Sequence, residues 1–203
     1  MTYSELQATT HFSFLRGVSS CEELVSTAAL MGMPALGVTD RNSVAGLVRA
    51  LYATEQLQDN EGLVIRLVAG CRLDLVSGAS LLVWPENLAG WTCLTNLLTR
   101  GNGRADPKAG EKGRCFLHWE DVADHADYLV GALVPGQRDA DSGELRWMAD
   151  IFGADRGYVC LTHQRRPDDG RRLHQLTEAA RCFGLAPLAT GDVLYHHPDR
   201  RML

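Results

Sequence analysis

The sequence predicts an α/β fold, an irregular (β/α) barrel of seven strands. Two observations carry this. Short apolar or alternating segments recur with helical segments between them, the pattern of a parallel sheet or barrel. The chain has 203 residues, 45% hydrophobic and 22% charged, which suits one globular domain with a sizeable core.

Each element has a local reason. Residues 3–8 alternate and read as the first strand, running into a polar loop and a Gly turn at Gly17. Ser19 and Ser20, each with a glutamate three residues on, give two overlapping capping boxes for a helix. Leu24, Val25, Ala28 and Ala29 form its apolar stripe, and Gly32 is placed to end it. Pro34 opens a buried strand over 35–39, closed by Asp40. Asn42 or Ser43 is expected to cap a second helix with Leu47, Val48, Leu51 and Tyr52 on its apolar face, and residues 59–62 read as a turn.

Residues 63–69 and 79–84 read as the third and fourth strands. Asn87 caps a helix carrying Trp91, Leu94, Leu97 and Leu98. Residues 101–114 hold four glycines, Pro107 and the cations Arg104, Lys108, Lys112 and Arg114, and read as a surface loop. A phosphate-contacting loop is the sharper alternative, but no Walker-type spacing supports it. A short helix over 119–125, a strand over 128–133 and a helix capped by Ser142 and running through Phe152 follow. A sixth strand over 157–161 precedes a long helix from Asp168 and Asp169 to Phe183, whose leading acids suit the helix dipole. Gly184 ends that helix, and 187–190 read as the seventh strand. No tandem repeat or interdomain linker is visible, and the stop at Arg201-Met202-Leu203 reads as the edge of a truncated piece.

Bulk properties exclude some functions. A net charge of −5 argues against strong nucleic-acid binding by this piece alone. The opening Met-Thr-Tyr-Ser-Glu is not a signal peptide, and no apolar run is long enough to span a membrane. Six cysteines are spread singly at 21, 71, 93, 115, 160 and 182, so reduced, buried thiols in a cytoplasmic protein are expected.

In such barrels the site lies at the carboxyl ends of the strands. That directs attention to Gln7, Thr9 and His11; Asp40 and Arg41; Cys71 and Arg72; Trp84; Pro135; His163; and Asp192 and Leu194. A catalytic metal site needs several carboxylates or imidazoles converging on one point. Here two aspartates and two histidines are accompanied by two arginines, which read more simply as partners in internal ion pairs than as a metal cage. Asp40, in Thr-Asp-Arg-Asn-Ser, reads as a helix cap or salt-bridge partner. His196 and His197 are adjacent on an extended segment and point opposite ways. No nucleophile elbow, dinucleotide loop or P-loop is present, and Trp84, Trp91, Trp119 and Trp147 read as core or interface residues.

Several stretches together carry a resemblance: Glu-Leu-Gln-Ala-Thr-Thr-His-Phe-Ser-Phe-Leu-Arg-Gly-Val-Ser over 5–19, Glu22-Glu23-Leu24, and Ala-Leu-Gly-Val-Thr-Asp-Arg-Asn-Ser-Val-Ala-Gly-Leu-Val-Arg over 35–49. Val-Ala-Gly-Cys-Arg-Leu-Asp over 68–74, the Leu-Thr-Arg-Gly segment at 98–101, and Leu-Ala-Thr-Gly-Asp-Val-Leu-Tyr-His-His-Pro-Asp-Arg-Arg over 188–201 agree. The chain resembles the PHP (polymerase and histidinol phosphatase) domain over nearly its whole length, in the version that opens error-prone, DnaE-type bacterial DNA polymerases. The resemblance implies a distorted seven-stranded TIM-like barrel over 1–203, at the head of a longer polymerase. Active PHP domains hold three metal ions, zinc or manganese, and hydrolyse phosphoesters. Their His-x-His motif falls here on Gln7 and Thr9, their Asp-His on Asp40 and Arg41, their third-strand glutamate on Arg72, and their closing Asp-x-His on Asp192 and Leu194. Four ligands are thereby replaced, two by arginine.

The resemblance therefore implies a structural, non-catalytic module with no metal of its own, inside a parent that is a DNA-directed DNA polymerase of damage-induced synthesis using magnesium. Its implied partners are the downstream polymerase domains, DNA through the parent, and mutasome or sliding-clamp proteins. The competing reading is a zinc- or manganese-dependent phosphoesterase or 3′–5′ exonuclease with a site rebuilt from His11, Asp40, His163 and Asp192.

Overall fold

A computed structural model describes residues 3–106, 108, 110–111, 113–136 and 141–202. Pro107 and Lys112 of the expected loop, the first two residues and Leu203 lie outside them. In chain order the elements are β1 (Glu5–Ala8), α1 (Cys21–Leu30), β2 (Ala35–Val38), α2 (Leu47–Glu61), β3 (Arg66–Ala69), β4 (Cys71–Asp74), β5 (Ser80–Pro85), α3 (Leu88–Gly103), α4 (Trp119–Asp124), β6 (Leu129–Val134), α5 (Ser142–Arg156), β7 (Gly157–Thr162), α6 (Asp169–Cys182) and β8 (Ala186–Thr190). A 3-10 turn, Pro198–Met202, follows.

The α/β class holds, but the seven-stranded barrel is corrected. Among the described residues there are eight strands in two sheets, β1-β2-β3 and β4-β5-β6-β7-β8. The extra strand arises because residues 66–74 bend at Gly70 and pair as two short strands rather than one. One pair, β5 with β6, is antiparallel, which a regular (β/α) repeat does not contain. The chain divides into two compact units, one comprising residues up to Cys71 together with those from Thr190 onward, the other Arg72–Ala189.

In the first unit, β1, β2 and β3 run parallel. Ala8 also bridges in parallel to Val193, so the late segment extends the sheet on the far side of β1. Ala8, Leu24, Val25, Ala28, Leu36, Ala53, Leu57 and Ile65 form the core between this sheet and its helices. Helix α1 starts as the sequence predicts: Ser20 accepts from the Glu23 amide at 3.1 Å and the Glu23 carboxylate accepts from the Ser20 amide at 2.9 Å. Ser19 forms no second box; it is buried and serves the late segment.

Helix α2 departs from expectation twice. Its N-cap is Gly46, with no side-chain cap, while Ser43 accepts from the amide of Ala45. Its buried face is Leu47, Ala50, Ala53 and Leu57, so Val48, Leu51 and Tyr52 stay on the surface. The small alanines let α2 approach α1, and this sets the helix rotation in place of the bulkier stripe. The expected turn at 59–62 is helical to Glu61, and Gly62 ends it in the left-handed region.

The second unit has its own core, with Leu73, Leu81, Leu82, Leu94, Leu97, Leu117, Leu129, Leu133, Leu145, Met148 and Leu176 fully buried. Asn87 caps α3 by accepting from Gly90, as expected, and α3 extends to Gly103 into the predicted loop. Asp141, not Ser142, caps α5, accepting from Gly143 at 3.0 Å. The Trp119 and Trp147 rings stack at 5.8 Å. Of the cysteines, Cys21, Cys71 and Cys160 are buried, but Cys93 and Cys115 are only half-buried and Cys182 is exposed.

Arg104, counted among the loop cations, is spent internally. It makes a two-pronged pair with the buried Asp121, at 2.7 Å through its Nη2, and Arg100 approaches the same carboxylate at 3.0 Å. This ties α3 to α4 and removes Arg104 from a phosphate-contacting role. The Arg104 hydrogen bonds hold the Asp121 carboxyl down at about 2, below the usual carboxylate range.

Two outcomes follow. Asp121 contributes stability that is fully present above the ordinary aspartate value, near 3.9, and is lost as pH falls toward about 2; acid titration of unfolding should show that loss in the wild type and not in Asp121→Asn. At Gly37 an added Cβ would stand 2.6 Å from the Leu6 carbonyl oxygen and 2.7 Å from the Leu6 Cα, both backbone of β1. Gly37→Ala should therefore cost about 1–3 kcal/mol in urea unfolding, because the strands must separate.

Candidate functional site

The predicted site residues of the first unit gather on β1 and on the turns that follow β2 and β8. Strand β1 carries polar groups into buried positions: Glu5, Gln7 and Thr9 are all buried. A buried polar group needs a partner, and each of these is tied to another part of the unit.

Glu5 accepts from the amides of Gln7 and Gly191, each at 2.8 Å, and from the Tyr3 hydroxyl at 2.7 Å. Burial pushes its carboxyl up. The Gln7 side-chain amide donates to Asp192 Oδ1 at 2.8 Å. The Thr9 amide donates to the Val193 carbonyl at 2.8 Å, and the Val193 amide returns to Gln7 at 2.9 Å. Leu194 contributes through its backbone, its carbonyl accepting from the Val18 amide at 3.0 Å. Asp192 has φ of 48°, a left-handed conformation that aspartate tolerates better than most residues.

Asp40 is the second centre. Its Oδ1 accepts from the Thr10 amide at 2.9 Å and the Ser13 hydroxyl at 2.7 Å, and its Oδ2 accepts from the Thr10 hydroxyl at 2.8 Å. The Arg41 amide donates to the Ser13 hydroxyl oxygen at 2.9 Å, and the Cys71 thiol donates to the Asp40 carbonyl at 3.3 Å. Asp40 is thus neither a helix cap nor solvent-facing; it braces the β1–α1 loop. Desolvation pushes its carboxyl up, opposed by the hydroxyls of Ser13 and Thr10.

The remaining candidates scatter. His11 is exposed, with Nδ1 3.3 Å from the Ser19 carbonyl and its ring 4.7 Å from that of Phe12. Arg72, in the second unit, pairs with Asp74 at 3.2 Å and donates to Ser80. His163, also in the second unit, is exposed and 3.5 Å from Asp169. His196 and His197 diverge as expected: His196 Nδ1 lies 2.8 Å from the Ser19 hydroxyl, while His197 faces Asp199 at 3.2 Å. Among the described residues, no three His, Cys, Asp or Glu side chains are grouped so as to hold a metal ion, and no helix is long and apolar enough to cross a membrane.

Sequence reasoning missed Glu5, Thr10, Ser13 and Ser19. Glu5 was detectable, as a glutamate on the inward beat of an alternating strand. Thr10 and Ser13 lie 30 and 27 residues from Asp40, and Ser19 lies 177 from His196, so no local spacing links them.

The profile of the PHP domain matches residues 5–163. The chain is similar to "Error-prone DNA polymerase 3" of Agrobacterium fabrum, 49% identical over 204 residues, covering 100% of this chain and 18% of that protein. "Error-prone DNA polymerase 2" of Rhizobium meliloti is 50% identical with the same coverage. The chain thus spans under a fifth of the length of these relatives. Among solved structures, a metal-dependent phosphoesterase from Bifidobacterium adolescentis superposes with a TM-score of 0.64 at 13% identity, over 97% of this chain and 90% of that one. An amidohydrolase from Chromobacterium violaceum gives 0.67 at 15%, over 94% and 87%. At those identities the likeness is one of fold.

Asp40→Ala leaves the buried Thr10 amide and two hydroxyls without their acceptor and should cost about 2–4 kcal/mol. Because the folded-state pKa of Asp40 is raised, its contribution is largest at low pH and falls as pH rises from the ordinary carboxylate value through the raised one. Urea unfolding of both proteins across that range should show the difference between them shrinking with pH.

Proposed function

The chain belongs to the PHP domain family, and on that premise we propose that it is the N-terminal PHP domain of an error-prone DNA polymerase, acting as a structural module without hydrolytic activity. One observation carries the second half of this reading. The carboxylates at the family's metal positions, Asp40 and Asp192, accept hydrogen bonds from Thr10, Ser13 and Gln7. Such a donor set does not suit a polynuclear metal centre. An amide and hydroxyls supply little charge to a divalent cation, and Gln7 and Thr9 stand where two imidazoles would be needed. Arg72 would bring a positive charge to a third ligand position.

The identities of 49% and 50% to polymerases named error-prone, over the whole of this chain, support the first half. On this reading the rest of the parent supplies nucleotidyl transfer with magnesium, in DNA-damage-induced translesion synthesis in the cytoplasm. The downstream domains are the first partner, DNA is met through them, and mutasome or clamp proteins are further partners of the whole enzyme.

Purified protein should carry zinc and manganese far below one equivalent and should neither hydrolyse p-nitrophenyl phosphate nor shorten single-stranded DNA. Stoichiometric metal, with hydrolysis abolished in Asp40→Ala, would overturn the non-catalytic reading. For the polymerase reading, a chain extended to the relatives' length should incorporate nucleotides on a primed template; a natural reading frame without polymerase sequence would sink it.

A further inference from the structure

We propose that the cleft between α1 and α2 is a docking groove for a cationic amphipathic helix of a partner protein. The proposal starts from the mismatch between pattern and packing in α2. Val48, Leu51 and Tyr52 repeat at helical spacing, yet they are 77%, 50% and 55% exposed, because Leu47, Ala50, Ala53 and Leu57 do the packing. A stripe at i, i+3 and i+4 is the anchor pattern used when one helix recognises another.

Beside this stripe lies a cleft of about 370 Å³, lined by Glu22 and Ser26 of α1 and by Tyr52, Gln56, Leu57 and Glu61 of α2, among others. Leu57 belongs to the core of the unit, so the lining is apolar in part. The Gln56 side-chain amide donates to the Tyr52 hydroxyl at 2.7 Å, which fixes the ring at the edge of the cleft. Tyr and Leu fixed at the rim of a concave surface are the kind of residues that dominate binding energy.

Charge selects the occupant. Glu22 and Glu61 line the cleft, and Glu55 and Asp59 are exposed on the same helix. Helix α1 contains no Lys or Arg, and α2 contains only Arg49, which stands 3.9 Å from Glu22. Such a surface repels phosphate backbones, which excludes nucleic acid. It also repels a second copy of itself, since a two-fold contact would set these acids against one another. A helix with leucines on one face and lysines or arginines flanking them satisfies both the apolar stripe and the acidic walls.

The test uses the 203-residue chain and two labelled helical peptides, one of leucine and lysine, the other with every lysine replaced by glutamate. Fluorescence anisotropy should show binding of the Leu/Lys peptide that weakens with salt, and no binding of the Leu/Glu peptide. Leu51→Ser should reduce affinity about tenfold or more, as expected for a central anchor. Glu61→Lys should reduce both the affinity and its salt dependence, and it tests the groove even if Leu51→Ser lowers stability. Leu88→Ser, at an exposed apolar position of the second unit, should leave binding unchanged. Equal binding of the two peptides, wild-type affinity in Leu51→Ser and Glu61→Lys, or self-association in sedimentation that Leu51→Ser abolishes would each overturn the proposal.

Discussion

Buried polar groups on and just after β1 must be satisfied, and the first unit is arranged around meeting that need. A polar atom removed from water without a partner costs on the order of 1–3 kcal/mol. Glu5, Gln7, Thr9 and Thr10 therefore each recruit a distant segment: Gly191, Asp192 and Val193 from the end of the chain, and Asp40 from the loop after β2. These bonds place the 191–194 segment against β1, and they hold the β1–α1 loop in a shape where Leu15 adopts a positive φ. A carboxylate network closed by amides and hydroxyls is self-sufficient, which is why the same positions serve architecture so well.

Much of this was legible in the sequence where the controlling interaction is local. The Ser20–Glu23 box and the Asn87 cap each involve residues three apart, and both were read correctly. The failures share a different cause. Asp141 and Ser142 are adjacent and chemically equivalent caps, so only the backbone path chooses between them. In α2 the larger side chains suggested one rotation of the helix, but close approach to α1 favours alanines at the contact. The break at Gly70 that splits one expected strand into β3 and β4 depends on which neighbours are available for pairing, and linear spacing does not encode that.

For the site, residue identity and residue role were legible to different degrees. Gln7, Asp40 and Asp192 were singled out by position, but their partners were not, since Asp40 is satisfied by hydroxyls 27 and 30 residues away. Arg104 shows the converse. It read as a surface cation in a glycine-rich loop, and it is instead committed to a buried aspartate brought near by α4. In both cases charge or polarity was visible in the sequence and its neutralisation was not.

The pinning of residues 191–200 to the first two dozen residues bears on how the chain is made. Besides the β1 contacts, the His196 amide donates to Ser19 at 2.9 Å and Arg200 reaches Glu23 at 2.5 Å. The second unit is continuous in sequence, while the first waits for its closing piece. On a ribosome adding about 5–20 residues per second, that piece emerges on the order of ten seconds after Cys71. Assembly then proceeds from the middle of the chain outward, and the N-terminal strands spend that interval with one sheet edge open. Nascent-chain protection by a chaperone would matter most in this window, and a stall within residues 72–189 would expose β1 more than any later arrest.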